Sequence, residues 1–240
     1  MMGSEPFHFK QFRIAQNQCT HKVGTDGVLL GAWVQVKEED KNILDIGTGS
    51  GLIALMLAQR TRPATRIDAV EIETRDAQQA MENVQQSPWP EKITIYKALV
   101  QRFNPEKEYD LIVSNPPYFE NSWLPPEEKR SQARHTHQLS FQDLLITATR
   151  LLTKQGRLAV ILPYFEGLKF LDLAQSFHLF PIRKTVFRSR AHKPVERLLL
   201  ELAYEGKLEA EQEIILYESG ENWSEEYKKL TREFYLRRSF

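Results

Sequence analysis

Asn42-Ile43-Leu44-Asp45-Ile46-Gly47-Thr48-Gly49-Ser50-Gly51 decides which fold this chain can adopt. An apolar run of strand length stops at three alternate glycines, and Leu52 to Arg60 then reads as a helix. Glycines at a strand-to-helix turn let backbone amides come close to a ligand at the helix N-terminus. The spacing is G-x-G-x-G with Asp45 inside the strand, whereas the dinucleotide fingerprint is G-x-G-x-x-G. A lone glycine turn says little about what it holds, so a second acidic site is needed.

The next strand supplies it. Arg66 to Glu71 is a short strand ending in a carboxylate, about twenty residues beyond the turn, where an acid can accept from ribose hydroxyls. Asp76 to Gln86 reads as a helix, broken by Ser87-Pro88-Trp89-Pro90, and Ile93 to Tyr96 as a third strand. A fourth apolar run, Tyr109 to Val113, meets Ser114-Asn115-Pro116-Pro117-Tyr118-Phe119. Proline has no N–H and fixes φ, so the strand stops there and the Asn115 and Pro116 carbonyls can face a pocket. Two acceptors beside an aromatic ring suit a planar amine; the alternative is a plain Asn-Pro turn.

Upstream, Phe7, Phe9, Phe12 and Ile14 alternate with polar residues as in a half-buried ribbon or an aromatic arm. Lys22-Val23-Gly24-Thr25-Asp26-Gly27 precedes an apolar run to Trp33, so Thr25-Asp26 is either a helix N-cap or the wall of a ligand pocket. Downstream, Phe119 to Gln138 reads as a long loop carrying Trp123, Arg130, Arg134, His135 and His137. Helices are expected over Phe141–Leu152, Phe165–Phe177 and Trp223–Arg238, and strands over Gly156–Leu162, Leu179–Arg188 and Val195–Ala203, with Ile214–Tyr217 as an extra strand. The turn Ser189 to Pro194, with Arg188, Arg190 and Lys193, is the densest basic cluster: a solvated hairpin or a phosphate site.

Composition sets the outer limits. The 240 residues suit one α/β domain with decorations. A formal net charge of zero leaves nucleic-acid binding to local patches. The single cysteine, Cys19, is expected to be inert and excludes an internal disulfide. No metal-ligand spacing is present, no run approaches the ~18 apolar residues that span a bilayer, and Met1 to Phe9 lacks a signal-peptide core. A cytoplasmic protein, with a monomer favoured, is the expectation.

Asp45-Ile46-Gly47-Thr48-Gly49-Ser50-Gly51 resembles motif I of the class I S-adenosylmethionine methyltransferases, and Asn115-Pro116-Pro117-Tyr118 resembles the motif of enzymes that methylate exocyclic amines or amides. The Lys22–Trp33 block, Ala133-Arg134-His135 and the tail around Tyr227, Leu230-Thr231 and Phe234-Tyr235-Leu236 are similar, together with these motifs, to the bacterial tRNA1(Val) adenine-N6 methyltransferases. The resemblance is nearly full length. It implies a Rossmann-like α/β fold: a seven-stranded, mostly parallel sheet with one antiparallel strand and helices on both faces. It implies one domain over 1–240, with an N-terminal extension at 1–34, a substrate-side loop at 119–138 and a C-terminal extension at 205–240. It also implies S-adenosyl-L-methionine as cofactor and a tRNA anticodon arm as partner, with no membrane and no metal.

The resemblance assigns cofactor binding to Lys22, Thr25, Asp26, Asp45, Gly47, Thr48, Gly49, Gly51, Glu71 and Ala98, and chemistry to Asn115, Pro116, Pro117 and Tyr118. Arg130, Arg134, Arg188, Arg190 and Lys193 are candidate RNA contacts. The family often places an acid just after the third strand for the cofactor adenine; here Lys97 to Gln101 holds none, leaving backbone amides near Ala98 or the Gln101 side chain. Guanine-N2 methylation of rRNA, glutamine-N5 methylation of a protein, and a non-catalytic RNA-binding module are the alternatives.

Overall fold

The computed structural model of the chain describes residues 5–117, 139–209 and 211–236. A small N-terminal ribbon, β1 (Phe7–His8) and β2 (Arg13–Ile14), precedes helix α1 (Thr25–Trp33). Then follow β3 (Asn42–Ile46), α2 (Leu52–Arg60), β4 (Arg66–Glu71), α3 (Thr74–Gln85), β5 (Ile93–Lys97) and β6 (Tyr109–Ser114). After residue 138 come α4 (Phe141–Leu151), β7 (Leu152–Pro163), α5 (Tyr164–Gln175), β8 (Phe180–Arg190) and β9 (Arg197–Ala203). The described chain closes with β10 (Gln212–Ser219), β11 (Asn222–Trp223) and α6 (Glu225–Thr231).

One sheet organises the molecule, in the order β11-β10-β8-β9-β7-β6-β3-β4-β5. Strands β7, β6, β3, β4 and β5 are parallel, β9 runs antiparallel between β7 and β8, and β10 is parallel to β8. The seven strands expected from the resemblance are present, and β10 and β11 extend the sheet to nine. The extension forms because Gln212–Tyr217 pairs with Thr185–Arg190, covering what would otherwise be the open edge of β8.

Alternation along each strand builds the two cores. Ile43, Ile67, Leu111, Val113 and Ile161 face α1 and α2. Their neighbours Leu44, Ile46, Val70, Ile112, Val160 and Leu162 face α4 and α5. A period of two with both faces covered is why these strands read as continuous apolar runs. Near β7, buried Arg157 pairs with Asp40 and with Glu201, both at 2.9 Å, and so ties the α1–β3 connection to β9.

Three local expectations are corrected. The Thr25-Asp26 pair does not cap α1; Gly24 holds the N-cap position and no side chain bonds to the free amides. The terminal helix is shorter than Trp223–Arg238, because Trp223 pairs with Tyr217 in the sheet and Ser224 then caps α6 by accepting from the Tyr227 N–H at 3.1 Å. Strand β8 continues to Arg190, two residues beyond the expected end. Among the described residues no helix is long and apolar enough to cross a membrane.

Candidate active site

The chain leaves β3 for β4 on one side and returns to β6 on the other, so the sheet switches direction at β3. Ligands of open α/β sheets sit outside the carboxyl ends of the strands at such a point. Pairing of Ile46 with Ser114 and with Val70 brings the glycine turn, the end of β4 and the end of β6 side by side. The Ser114 hydroxyl donates to the Ile46 carbonyl at 2.9 Å, locking the two strand ends together just before Asn115.

The turn is built for close approach. Gly47, Gly49 and Gly51 have φ of +72°, +55° and +83°, a region that strains any residue with a Cβ. Among the described residues, a Cβ placed on Gly47 or Gly49 would meet no atom within 4 Å beyond its chain neighbours, so that space is open to a ligand. The Gly47 and Thr48 amides donate to the Val70 carbonyl at 2.9 and 3.2 Å. Behind the turn, fully buried Asp45 accepts from the Thr48 hydroxyl at 2.6 Å and from the Ala54 N–H at 3.1 Å, both on Oδ2. Its Oδ1 has no hydrogen-bond partner among the described residues. Burial above all pushes the Asp45 carboxyl up to about 7, with the Glu71 charge adding to the rise and the two hydrogen bonds opposing it.

Glu71 is more occupied than an open ribose acceptor would be. Its Oε2 accepts from the Gly49 N–H at 2.9 Å, and its Oε1 accepts from the Ile72 and Glu73 amides at 2.8 and 2.9 Å. The carboxylate thus splints the glycine turn to the start of α3, and its remaining lone pairs are what a ribose could use. The Ala98 amide is likewise engaged, donating to the Glu71 carbonyl at 2.9 Å. Gln101, in the 3-10 turn Val100–Arg102 after β5, keeps a buried Oε1 without a partner among the described residues.

At the end of β6, Asn115 carries a buried Oδ1 with no hydrogen bond among the described residues. An orphaned buried acceptor costs about 1–3 kcal/mol, which makes it a group awaiting a donor. Pro116 and Pro117 follow it in the described chain. Tyr118, Arg130 and Arg134, with the 119–138 loop, lie outside the described residues.

Lys22 and Thr25 are exposed at the start of α1, while Asp26 accepts from Arg197 Nε at 2.8 Å and so joins α1 to the start of β9. The basic cluster is partly neutralised within the fold. Arg188 donates to Glu213 at 2.6 Å and to the Lys193 carbonyl at 2.7 Å, and the Arg190 guanidinium lies over the Tyr217 ring at 5.0 Å. Lys193 and His192 are exposed at the tip. The half-exposed Cys19 thiol is pushed up to about 12, first by burial and then by the charges of Asp76 and Glu71, as expected for an inert cysteine. Among the described residues no cluster of three or more His, Cys, Asp or Glu is placed to hold a metal.

Two residues of interest escaped the sequence reading. Phe165 opens α5 at the same sheet edge as Asn115, is 72% exposed, and packs edge-on against Tyr164. The Tyr164 N–H donates to the Glu196 carbonyl at 3.1 Å, tethering this aromatic pair to the β8–β9 hairpin. The available signal was two aromatics placed directly after the Pro163 strand end. Asn83, buried in α3, left no signal, because its partners come from distant parts of the chain.

Comparison with known proteins agrees with this geometry. A family model described as "Methyltransferase small domain" matches residues 21–185. A tRNA1(Val) (adenine(37)-N6)-methyltransferase of Christiangramia forsetii is 41% identical, covering 98% of this chain and 100% of its own. Proteins of the same name from Photorhabdus laumondii and Trichodesmium erythraeum are 44% and 45% identical, each over 98% of this chain and over 97% and 100% of their own. Among solved structures, a protein of Agrobacterium tumefaciens described as a predicted O-methyltransferase superposes with a TM-score of 0.70 at 17% identity, over 90% of this chain and 100% of its own. A glycopeptide N-methyltransferase complexed with S-adenosyl-L-methionine gives 0.54 at 11% identity, over 77% and 100%. At those identities the structures speak for the fold alone.

Proposed function

The chain belongs to the family of tRNA1(Val) (adenine(37)-N6)-methyltransferases, and from that premise we propose how its residues carry out N6 methylation of a tRNA adenosine. The observation that carries the reading is the orphaned Asn115 acceptor at the end of β6, one strand away from an open glycine turn. The residues present fit S-adenosylmethionine: the vacant side of Gly47 and Gly49, the acid of Glu71 and the unpaired Gln101 Oε1 offer backbone, ribose and adenine contacts. When bound, that cofactor supplies an electrophilic methyl group.

Everything else falls to the protein. An adenine amine is a poor nucleophile because its lone pair is conjugated into the ring. The Asn115 Oδ1 and the Pro116 carbonyl accept its two N–H groups, which favours a more pyramidal nitrogen and aims the lone pair. Tyr118 stacks on the base, and a loop base leaves its stack more easily than one in a duplex. No strong general base is needed: after transfer the ammonium-like nitrogen is acidic and yields its proton to water. Positioning does most of the lowering of the barrier.

The tRNA anticodon arm lies along the sheet edge that carries Asn115, Phe165 and the β8–β9 hairpin. Phe165 offers a base-stacking face, and Arg190 and Lys193 offer phosphate contacts. Arg130 and Arg134, outside the described residues, are further candidates for phosphate contact. The protein acts in the cytoplasm, where its RNA is found, and as a monomer. Incubation with labelled S-adenosylmethionine and, in parallel, unmodified tRNA, rRNA and release factor tests the whole reading. N6-methyladenosine in the tRNA digest supports it. Label recovered as N2-methylguanosine, or in protein, overturns the substrate.

A further inference from the structure

Between β2 and α1 the chain forms a strap, residues 15–24, that crosses α3 next to the glycine turn. Its start is held by one side chain. The Ala15 N–H donates to Asn83 Oδ1 at 2.9 Å, while Asn83 Nδ2 donates to the Ala15 carbonyl at 2.9 Å and to the Ser50 carbonyl at 2.8 Å. Ser50 lies between Gly49 and Gly51, and Asn83 is 3% exposed. Further along, the Thr20 N–H donates to Asp76 Oδ1 at 2.8 Å, and the Val23 N–H donates to Gln16 Oε1 at 2.8 Å.

Asparagine is a poor choice for a helix interior, and burying its amide is tolerated only when its polar atoms are satisfied. Here a single amide pairs with both backbone groups of Ala15, as a neighbouring strand would, and also fixes a carbonyl in the turn. One side chain thus hydrogen-bonds the strap to the turn. We propose that Asn83 is a positioning residue of the cofactor site, coupling the seating of the strap to the shape of the glycine turn. The strap forms the α3-side wall of the pocket, reached only while Asn83 and Asp76 hold it. The proposal rests on the glycine turn as cofactor cradle and not on the identity of the RNA.

The protein carries its own probe, since Cys19, its one cysteine, sits in the strap one residue before Thr20. Thiol labelling of the unmodified protein is measured at pH 8.5 with and without S-adenosylhomocysteine. Bound ligand is expected to slow labelling about fivefold or more, since it holds the strap down. Asn83→Ala is expected to label faster and to bind S-adenosylhomocysteine at least about tenfold more weakly by calorimetry. At saturating cofactor its kcat and its KM for tRNA stay within about threefold of the parent, a split that general loss of structure does not give. Asp76→Ala, which frees the strap without touching Ser50, is expected to weaken ligand binding in the same direction, and Asp76→Asn, which keeps an acceptor for the Thr20 N–H, to restore it. These two variants are read by affinity, since loss of the Asp76 charge by itself changes Cys19 reactivity. If ligand leaves wild-type labelling unchanged, the strap is not a wall of the pocket and the proposal fails. It fails equally if a folded Asn83→Ala protein binds the ligand within about twofold of the parent. Ligand-dependent protection with no methylation of any RNA would leave the proposal standing and overturn the assigned substrate instead.

Discussion

In the proposed mechanism Asn115 and Glu71 divide the labour of the site, and single substitutions separate their roles. Asn115→Ala removes the orphaned acceptor and is expected to abolish transfer while cofactor affinity changes little. Loss of cofactor binding in that variant would mean its role is misassigned. Glu71→Ala takes away the acceptor of three backbone amides, so cofactor Kd is expected to rise at least about tenfold, with melting temperature falling as well. Asp45 makes a prediction of a different kind. Its folded carboxyl titrates near 7, above the ordinary unfolded value of about 3.9. Below the lower value both states hold the proton; between the two only the folded state does, so stability falls as pH rises, and the cost is complete above about 7. Asp45→Asn is therefore expected to gain stability over wild type progressively from pH 4 to pH 7 and to hold a constant advantage beyond. A pH-independent difference between the two melting curves would disprove the assignment. Asp45 and Asn115 were legible because each sits at a strand end beside glycine or proline. The second duty of Glu71, splinting the turn, was not, because it depends on backbone amides whose direction only the folded turn fixes.

At the scale of elements, the glycine turn and α1 use glycine for opposite reasons. Gly49→Ala places a left-handed backbone under about 1–2 kcal/mol of strain and puts a methyl group in the ligand's space, so cofactor binding is expected to fail with a modest stability loss. Gly31→Ala pushes a Cβ to 2.7 Å from Met56 Sδ in the α1–α2 contact, so stability should suffer while affinity per folded molecule holds. Thermal melts and calorimetry on both variants check the contrast; a shared pattern would refute it. The β8–β9 hairpin tests RNA docking. Because Arg188 is engaged by Glu213, Arg190→Ala with Lys193→Ala is expected to raise KM for tRNA and flatten its salt dependence, and Arg188→Ala to do less. A salt response unchanged by the double variant would remove the hairpin from the interface. The parallel strands were readable because burial on both faces gives continuous apolar runs. The tail was misread because Tyr227, Leu230 and Phe234 have helical spacing, although Phe234 is buried beyond the helix, where the chain turns to pair with Phe9 and Lys10 just past β1. The missing N-cap at Thr25 has a similar origin: composition marks where a helix can start but not which groups remain free for other use.

Over the whole molecule, the two ends of the described chain close on each other. The Lys10 N–H donates to the Phe234 carbonyl at 2.8 Å, Lys10 Nζ donates to the Arg232 carbonyl, and Phe9 bridges to Tyr235 with their rings 5.9 Å apart. Phe234→Ala is expected to cost roughly 3–5 kcal/mol, measured by denaturant unfolding, as for other buried aromatics. A loss below about 1 kcal/mol would show that the clasp contributes little. The alternating aromatics Phe7, Phe9 and Phe12 announced burial but not their partner, since nothing local says that the tail supplies it.

This clasp has a consequence in time. Ribosomes add about 5–20 residues per second, so the aromatic ribbon emerges and then waits on the order of tens of seconds before Phe234 and Tyr235 exist to cover it. The strap that follows the ribbon finds its anchors far sooner, as soon as Asp76 and Asn83 of α3 have been made. The strap, the glycine turn and α3 can therefore come together well before the aromatic ribbon is covered. A chain lacking Phe234 and Tyr235 is expected to leave the rings of Phe7 and Phe9 without this cover.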